Sequence, residues 1–121
     1  MVRELGIGFV PYSPLGRGFL TSIVKPAVDH PADDMRRHDD RWQPGNYEKN
    51  AIAVRELTSP AESRGSAVTQ LALAWPLAHS DHIVPIPGTR SPHHLEENVA
   101  SARVALTAQD ARPHPGDPPA R

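Results

Sequence analysis

The chain has 121 residues, a formal net charge of −1 from 13 Lys+Arg against 14 Asp+Glu, and 38% hydrophobic residues with two each of Phe, Trp and Tyr. That is the length of one ordinary domain with a mainly aliphatic core, and the balanced charge gives no electrostatic case for nucleic acid or an anionic membrane surface. Cysteine is absent, which excludes disulfides, thiolate catalysis and Cys-based zinc sites.

The start, M-V-R-E-L-G-I-G, carries an acidic residue and no long apolar core, so it is not expected to be a signal peptide. No run reaches the roughly 20 apolar residues of a membrane helix, and a cytoplasmic protein is expected. Ile7-Gly8-Phe9-Val10, bounded by Gly6 and Pro11, fits a buried strand of parallel type. It runs into the turn Tyr12-Ser13-Pro14-Leu15-Gly16-Arg17-Gly18, at the strand end where parallel α/β folds place ligands. Tyr12 offers a flat ring for stacking, and Ser13, Gly16 and Arg17 offer groups for phosphate oxygens. The same residues also suit a plain rigid turn.

Residues 26–46 read as a solvated surface loop, in which the alternating charges of 33–41 pair with one another. A helix is expected from Asn46 as its cap, with Ala53, Leu57 and Ala61 on the apolar face, stopping or kinking near Thr58 because of Pro60. Gly65 ends that segment, and Ser66 caps a second helix with the stripe Val68, Leu71, Ala72, Trp75 and Ala78, interrupted by Pro76. Ile83-Val84-Pro85-Ile86 is the second strand. Ser91-Pro92 signals a helix start, a Ser cap with Pro at the first helical position, and the helix runs to about Ala102. Thr107 is placed to cap one more helix, and the Pro-rich tail 111–121, with four of the 14 prolines, is expected to be disordered. Strand, loop, helix, helix, strand, helix is an α/β order, but two strands do not make a sheet with covered edges.

The turn Pro87-Gly88-Thr89-Arg90-Ser91-Pro92 leads into a helix N-terminus, where free N–H groups and the helix dipole favour an anion. Gly88 permits close approach, Thr89 and Ser91 add hydroxyls, and Arg90 adds a forked guanidinium. An ordinary strand–helix turn with a surface Arg has the same pattern. The seven histidines give no metal set: His93 and His94 are adjacent, diverge by about 100° on a helix, and are not expected to share an ion. His93 and Glu97 share a face, but lack a third ligand.

Taken together, F-V-P-Y-S-P-L-G-R-G-F-L, Q-L-A-L-A-W, I-V-P-I-P-G-T-R and L-E-E-N-V, in this order and spacing, resemble the C-terminal part of the aldo-keto reductases. P-A-D-D-M-R-R and W-Q-P-G-N-Y-E-K-N resemble the pyridoxal-reductase-like or perakine-reductase-like branch. The resemblance covers residues 5 to about 110. It implies an α/β fold, as the C-terminal fragment of a (β/α)8 TIM barrel, with residues 6–12 as the seventh strand and 83–87 as the eighth. It implies NADP(H) as cofactor and small aldehydes or ketones as substrates. By it, Tyr12 stacks on the nicotinamide ring and Ser13, Pro14, Leu15, Gly16 and Arg17 lie along the pyrophosphate. Gly88, Thr89 and Arg90 surround the 2′-phosphate, and His94, Glu97 and Asn98 meet the adenine side.

The departures matter too. The family's catalytic Asp, Tyr, Lys and His come from earlier strands, and their motifs do not occur here; Tyr12 is not the proton-donating tyrosine. A whole barrel takes about 250 residues. Ala67-Val68 stands for the usual Thr-Pro helix start, and Pro60 and Pro76 replace helix-compatible apolar residues. The resemblance therefore implies a cofactor-holding part, inactive alone, completed by a separate N-terminal half or by self-association. A non-catalytic remnant and a small interaction module with exposed strand edges are the other expectations.

Overall fold

The computed structural model describes residues 2–21, 23–107 and 110. Among them, α-helices span Asn46–Glu56 (α1), Thr58–Glu62 (α2), Val68–His79 (α3) and Pro92–Ala100 (α4), joined by extended and 3-10 segments. None is long and apolar enough to cross a membrane.

The two apolar runs lie side by side in parallel. The Phe9 N–H donates to the His82 carbonyl at 2.6 Å, and the Val84 N–H donates to the Phe9 carbonyl at 2.9 Å. Expected as strands, they pair among the described residues only at the Phe9–Ile83 bridge. With few neighbours to complete a ladder or cover its faces, Ile7, Phe9, Val10, Val84 and Ile86 remain exposed.

The segment expected as a solvated loop is instead the centre of packing. Trp42 is 2% exposed and forms a core with Phe19 and Ala27, onto which Val24, Tyr47 and Val54 pack. The Phe19 and Trp42 rings meet edge to face at 5.2 Å, and Phe19 and Tyr47 at 6.1 Å. Three 3-10 turns carry the chain around this core: Ala27–Asp29, Met35–Arg37 and Asp40–Trp42. Asp34 and Asp39 cap the last two, accepting the N–H of Arg36 and of Arg41 at 2.9 Å each. The charges thus serve as caps and tethers, and self-pairing is confined to contacts such as Asp34–Arg36 at 2.6 Å.

Within this core His30 is buried, edge-on to Trp42, and neither ring nitrogen has a hydrogen-bond partner among the described residues. The nearest acidic oxygen, Asp34 Oδ2, is 3.7 Å from Nδ1, too long for a hydrogen bond. An unsatisfied buried polar group costs about 1–3 kcal/mol. His30→Leu, of similar volume, is therefore expected to raise stability by about 1 kcal/mol, read from the urea midpoint.

Helix α1 begins one residue earlier in role than expected. Gly45, at φ +86, is the cap, and Asn46 is the first helical residue. A left-handed cap suits glycine, and the Glu48 carboxylate accepts the Gly45 N–H at 2.5 Å. The buried face of α1 is Tyr47, Ala51 and Val54; of the expected stripe, Ala61 is buried in α2, whereas Ala53 and Leu57 are exposed. The break does fall where Pro60 requires it. The helix stops at Glu56, Leu57 is a junction, and Pro60 lies in the first turn of α2, where no backbone N–H is needed.

Gly65, at φ +63, turns the chain after α2. Ser66 does not cap α3: its hydroxyl donates to the Ala61 carbonyl, while Ala67 is the cap and Gln70 Oε1 accepts its N–H at 3.0 Å. Pro76 does not interrupt α3, which continues to His79. Proline in the last turn removes one rung; Leu73 and Ala74 are buried, and the helix packs along α4 and the turn Ser101–Arg103. Those two residues are the fully buried positions; of the expected stripe, Val68, Leu71 and Ala72 are half-buried and Trp75 and Ala78 are exposed. This helix is apolar nearly all round, so its period does not choose a face.

Helix α4 starts as expected, with Pro92 first and Ser91 Oγ accepting the His94 N–H at 3.4 Å. It ends at Ala100 and tightens into the 3-10 turn Ser101–Arg103. Thr107 and Asp110 exchange capping bonds: the Thr107 N–H donates to Asp110 Oδ2 at 2.8 Å, and the Asp110 N–H donates to Thr107 Oγ1 at 3.3 Å. The helix this would open, and the tail 111–121, lie outside the described residues.

Asp110 also pairs with Arg64 at 2.5 Å, tying the segment after α4 to the turn between α2 and α3. Hydrogen bonds from Thr107, then from Arg64, lower its carboxyl from 3.8 to about 2. A carboxyl lowered on folding stabilises the fold above its unfolded value, and this is lost as pH falls toward its folded value. The stability difference between wild type and Asp110→Asn is thus expected at neutral pH and to close between 3.8 and about 2, checked by denaturation at several pH values.

Candidate functional site

A cleft of about 1050 Å³ opens between the turn at residues 12–18, the α2–α3 junction and the start of α4. It is bounded by Tyr12, Ser13, Pro14, Leu15 and Arg17 on one side and by Gly88, Thr89, His94, Glu97 and Asn98 on the other. Ten of the twelve residues singled out from sequence thus share one cavity. Gly16 lies instead against a second, shallow hollow with Phe19, Leu20 and Arg41, and Arg90 is exposed outside the cleft wall.

The 12–18 turn is tightly self-bonded. Ser13 Oγ accepts the Arg17 N–H at 2.9 Å, and the Ser13 carbonyl accepts the Gly16 N–H at 2.8 Å. Ser13 and Arg17 both have left-handed backbones, at φ +51 and +58, each costing about 1–2 kcal/mol in a non-glycine residue. The Ser13 hydroxyl, already an acceptor, keeps its own proton free to donate into the cleft. Tyr12 is 84% exposed, so one face of its ring is open to a flat group.

Arg17 does not present an uncompensated charge. Its Nη1 pairs with Asp39 Oδ2 at 2.6 Å, and its guanidinium lies 6.0 Å from the Tyr12 ring centroid. Arg41 Nη1 donates to the Gly16 carbonyl at 3.4 Å. Residues 39–41 therefore brace the turn from behind. Sequence reading missed Asp39 and Arg41, because a run of alternating charges gives no sign of a partner more than twenty residues away.

At the other wall, Thr89 Oγ1 accepts the Ser91 N–H at 3.1 Å, which sets Ser91 as the α4 cap. A side chain added at Gly88 would meet nothing within 4 Å, so the backbone there is open to close approach. His94 Nδ1 lies 3.0 Å from Glu97 Oε2, and this hydrogen bond, with the nearby charges of His93 and His94, holds the Glu97 carboxyl below its ordinary value. His93 Nε2 also approaches Glu97, at 3.6 Å from Oε1. The expectation that the adjacent imidazoles point apart is thus corrected: the rings lie 5.5 Å apart, both beside one carboxylate.

The third wall was not foreseen as part of a site. Thr58, Ala61 and Glu62 of α2, and Gly65 to Thr69 at the start of α3, line the cleft. Thr69 Oγ1 donates to the Leu20 carbonyl at 3.3 Å, and Gln70 Nε2 to the Glu97 carbonyl at 3.2 Å, linking the three walls. Two helices, α3 and α4, begin at the cleft. Their positive ends suit an anionic ligand.

A model of the aldo/keto reductase family matches residues 1–113. The chain is 44% identical over 105 residues to aldo-keto reductase yakc [NADP(+)] of Schizosaccharomyces pombe, covering 87% of the chain and 31% of that protein. It is 39% identical over 113 residues to probable aldo-keto reductase 1 of Glycine max, covering 93% and 32%. It therefore spans about a third of the length of the curated relatives it matches. Among solved structures, glycerol dehydrogenase AKR11B4 from Gluconobacter oxydans overlays with a TM-score of 0.76 at 24% identity, over 98% of this chain and 40% of that one, a likeness of fold. Matched along nearly its whole length, the chain belongs to the aldo/keto reductase family.

Proposed function

We propose that this chain is the cofactor-holding part of an NADPH-dependent carbonyl reductase, within a domain spanning residues 1–110. The observation that carries this reading is the convergence of Tyr12–Leu15 and Arg17 with Gly88, Thr89, His94, Glu97 and Asn98 on one cleft. The residues fit the group: an exposed aromatic ring at one end, donors beside two helix N-termini, and an open glycine and hydroxyls at the other. Tyr12 stacks the nicotinamide, and Ser13 to Arg17 follow the pyrophosphate. Gly88, Thr89 and Arg90 hold the 2′-phosphate, and His94, Glu97 and Asn98 the adenine. When bound, the reduced nicotinamide supplies a hydride to an aldehyde or ketone carbon. The Asp39–Arg17 brace keeps the turn in its strained shape before the cofactor arrives, so that ordering cost falls on folding.

The parallel Phe9–Ile83 pairing supports reading residues 6–12 and 83–87 as the seventh and eighth barrel strands. In that arrangement the remaining strands supply the proton-transferring residues. The exposed faces of Ile7, Phe9, Val10, Val84 and Ile86 favour a second reading, in which those edges dock a complementing N-terminal half or a second copy of the chain.

Titrating the purified chain with NADPH by fluorescence, alongside circular dichroism and sedimentation, tests both. Saturable binding by a folded chain is the expected result. A folded chain that ignores NADPH sinks the cofactor reading, and a folded monomer at all concentrations sinks self-association.

A further inference from the structure

We propose that His93, His94 and Glu97 form a binding site for a divalent transition-metal ion of the zinc class. Their ligand atoms lie within 4.8 Å of one another. On a helix turning about 100° per residue, Glu97 sits roughly 40° from His93 and 60° from His94, between them and one turn on. That is why neighbours that diverge from each other both converge on the carboxylate. Ligands about 2.1 Å from a tetrahedral ion stand roughly 3.4 Å apart. The two imidazole–carboxylate spacings, 3.6 Å from His93 Nε2 to Oε1 and 3.0 Å from His94 Nδ1 to Oε2, are each near this, one to either oxygen of the carboxylate. What must shorten is the gap between the imidazoles; both side chains are solvent-exposed, and the ion takes the place of the proton shared by His94 Nδ1 and Glu97 Oε2. Two imidazoles and a carboxylate select zinc, nickel or copper over magnesium or calcium, and three protein ligands leave a position for water.

The position of the site has a consequence. His94 and Glu97 line the cleft, whereas His93 does not. An ion that draws in the His94 ring and the Glu97 carboxylate withdraws both from a nucleotide. Metal and nucleotide thus compete, a consequence that rests on the cofactor reading above, although the metal site itself does not.

The test is isothermal titration of the full chain with zinc chloride in chelator-free, nucleotide-free buffer. One ion per chain is expected. Loss of a group that merely supports a metal ligand costs about 10–100-fold in affinity, so His93→Ala and Glu97→Gln are each expected to weaken zinc binding about tenfold or more. His93 is exposed, so circular dichroism of His93→Ala is expected to match wild type. No saturable uptake, or uptake undiminished in both variants, overturns the site. In the second arm, zinc is expected to raise the apparent Kd for NADPH in wild type and not in His93→Ala. Zinc bound at these residues without effect on NADPH overturns the competition. A chain that binds no NADPH refutes the cofactor reading, while the zinc isotherm still decides the metal site.

Discussion

Trp42→Ala is expected to destabilise the chain by about 3–5 kcal/mol, the range for deleting a buried aromatic side chain. Trp42 is 2% exposed and touches the Phe19 and His30 rings. Domains of this size hold about 5–15 kcal/mol in all, so most of the native population is at risk. The damage also reaches the cleft, because Phe19 follows directly on the turn that ends at Gly18. Urea denaturation followed by far-UV circular dichroism measures the loss, and loss of near-UV signal reports the aromatic cluster. Trp75→Ala is the control. Trp75 is 45% exposed and lies against the His79 ring, so its loss is expected to cost under about 1 kcal/mol. Similar costs for the two variants would mean that residues 26–46 do not pack as described.

The second large effect is on cofactor choice. Under the proposed function, Arg90 is the cation for the 2′-phosphate. It is exposed, and no carboxylate pairs with it among the described residues, whereas Arg17 is neutralised by Asp39. A hydrogen bond to a charged group contributes about 1.5–3 kcal/mol, toward the low end at an exposed site. Arg90→Ala is thus expected to lower NADPH affinity about tenfold and leave NADH affinity nearly unchanged. Raising salt is expected to shrink the difference. Parallel titrations with the two nucleotides check it: equal losses would place Arg90 away from the phosphate.

The turns and the proline-marked helix boundaries were more legible than the packing around them. Ser91-Pro92 is a helix start by local chemistry alone, and α4 begins there. Pro60 forbids an uninterrupted helix whatever surrounds it, and the break falls at Leu57. The glycines of the 12–18 turn sit at φ +57 and +93, as its tight path demands. Such signals involve a residue and its neighbours within a few positions, so no tertiary information is needed to read them.

Caps and faces were less secure. Asn46 and Ser66 are good capping residues, yet Gly45 and Ala67 hold the cap positions, with Glu48 and Gln70 accepting their N–H groups. Both substitutes are side chains reaching back from the third helical residue, a competition that residue preference alone does not decide. On α3 nearly every position is apolar, so which residues are buried depends on where α4 and the Ser101–Arg103 turn sit.

By itself the sequence pointed to the family, to the start of α4, to the helix break before Pro60 and to ten of the residues that line the cleft. Tertiary structure alone decided that Trp42 closes the core, that Asp39 braces Arg17 across 22 positions, that the α2–α3 junction forms a third wall, and that two adjacent histidines meet at Glu97. Local preference acts over one or two turns of chain. Burial and ion pairing depend on which distant groups the folded chain brings within a few ångströms, and that is not written in the spacing of residues along it.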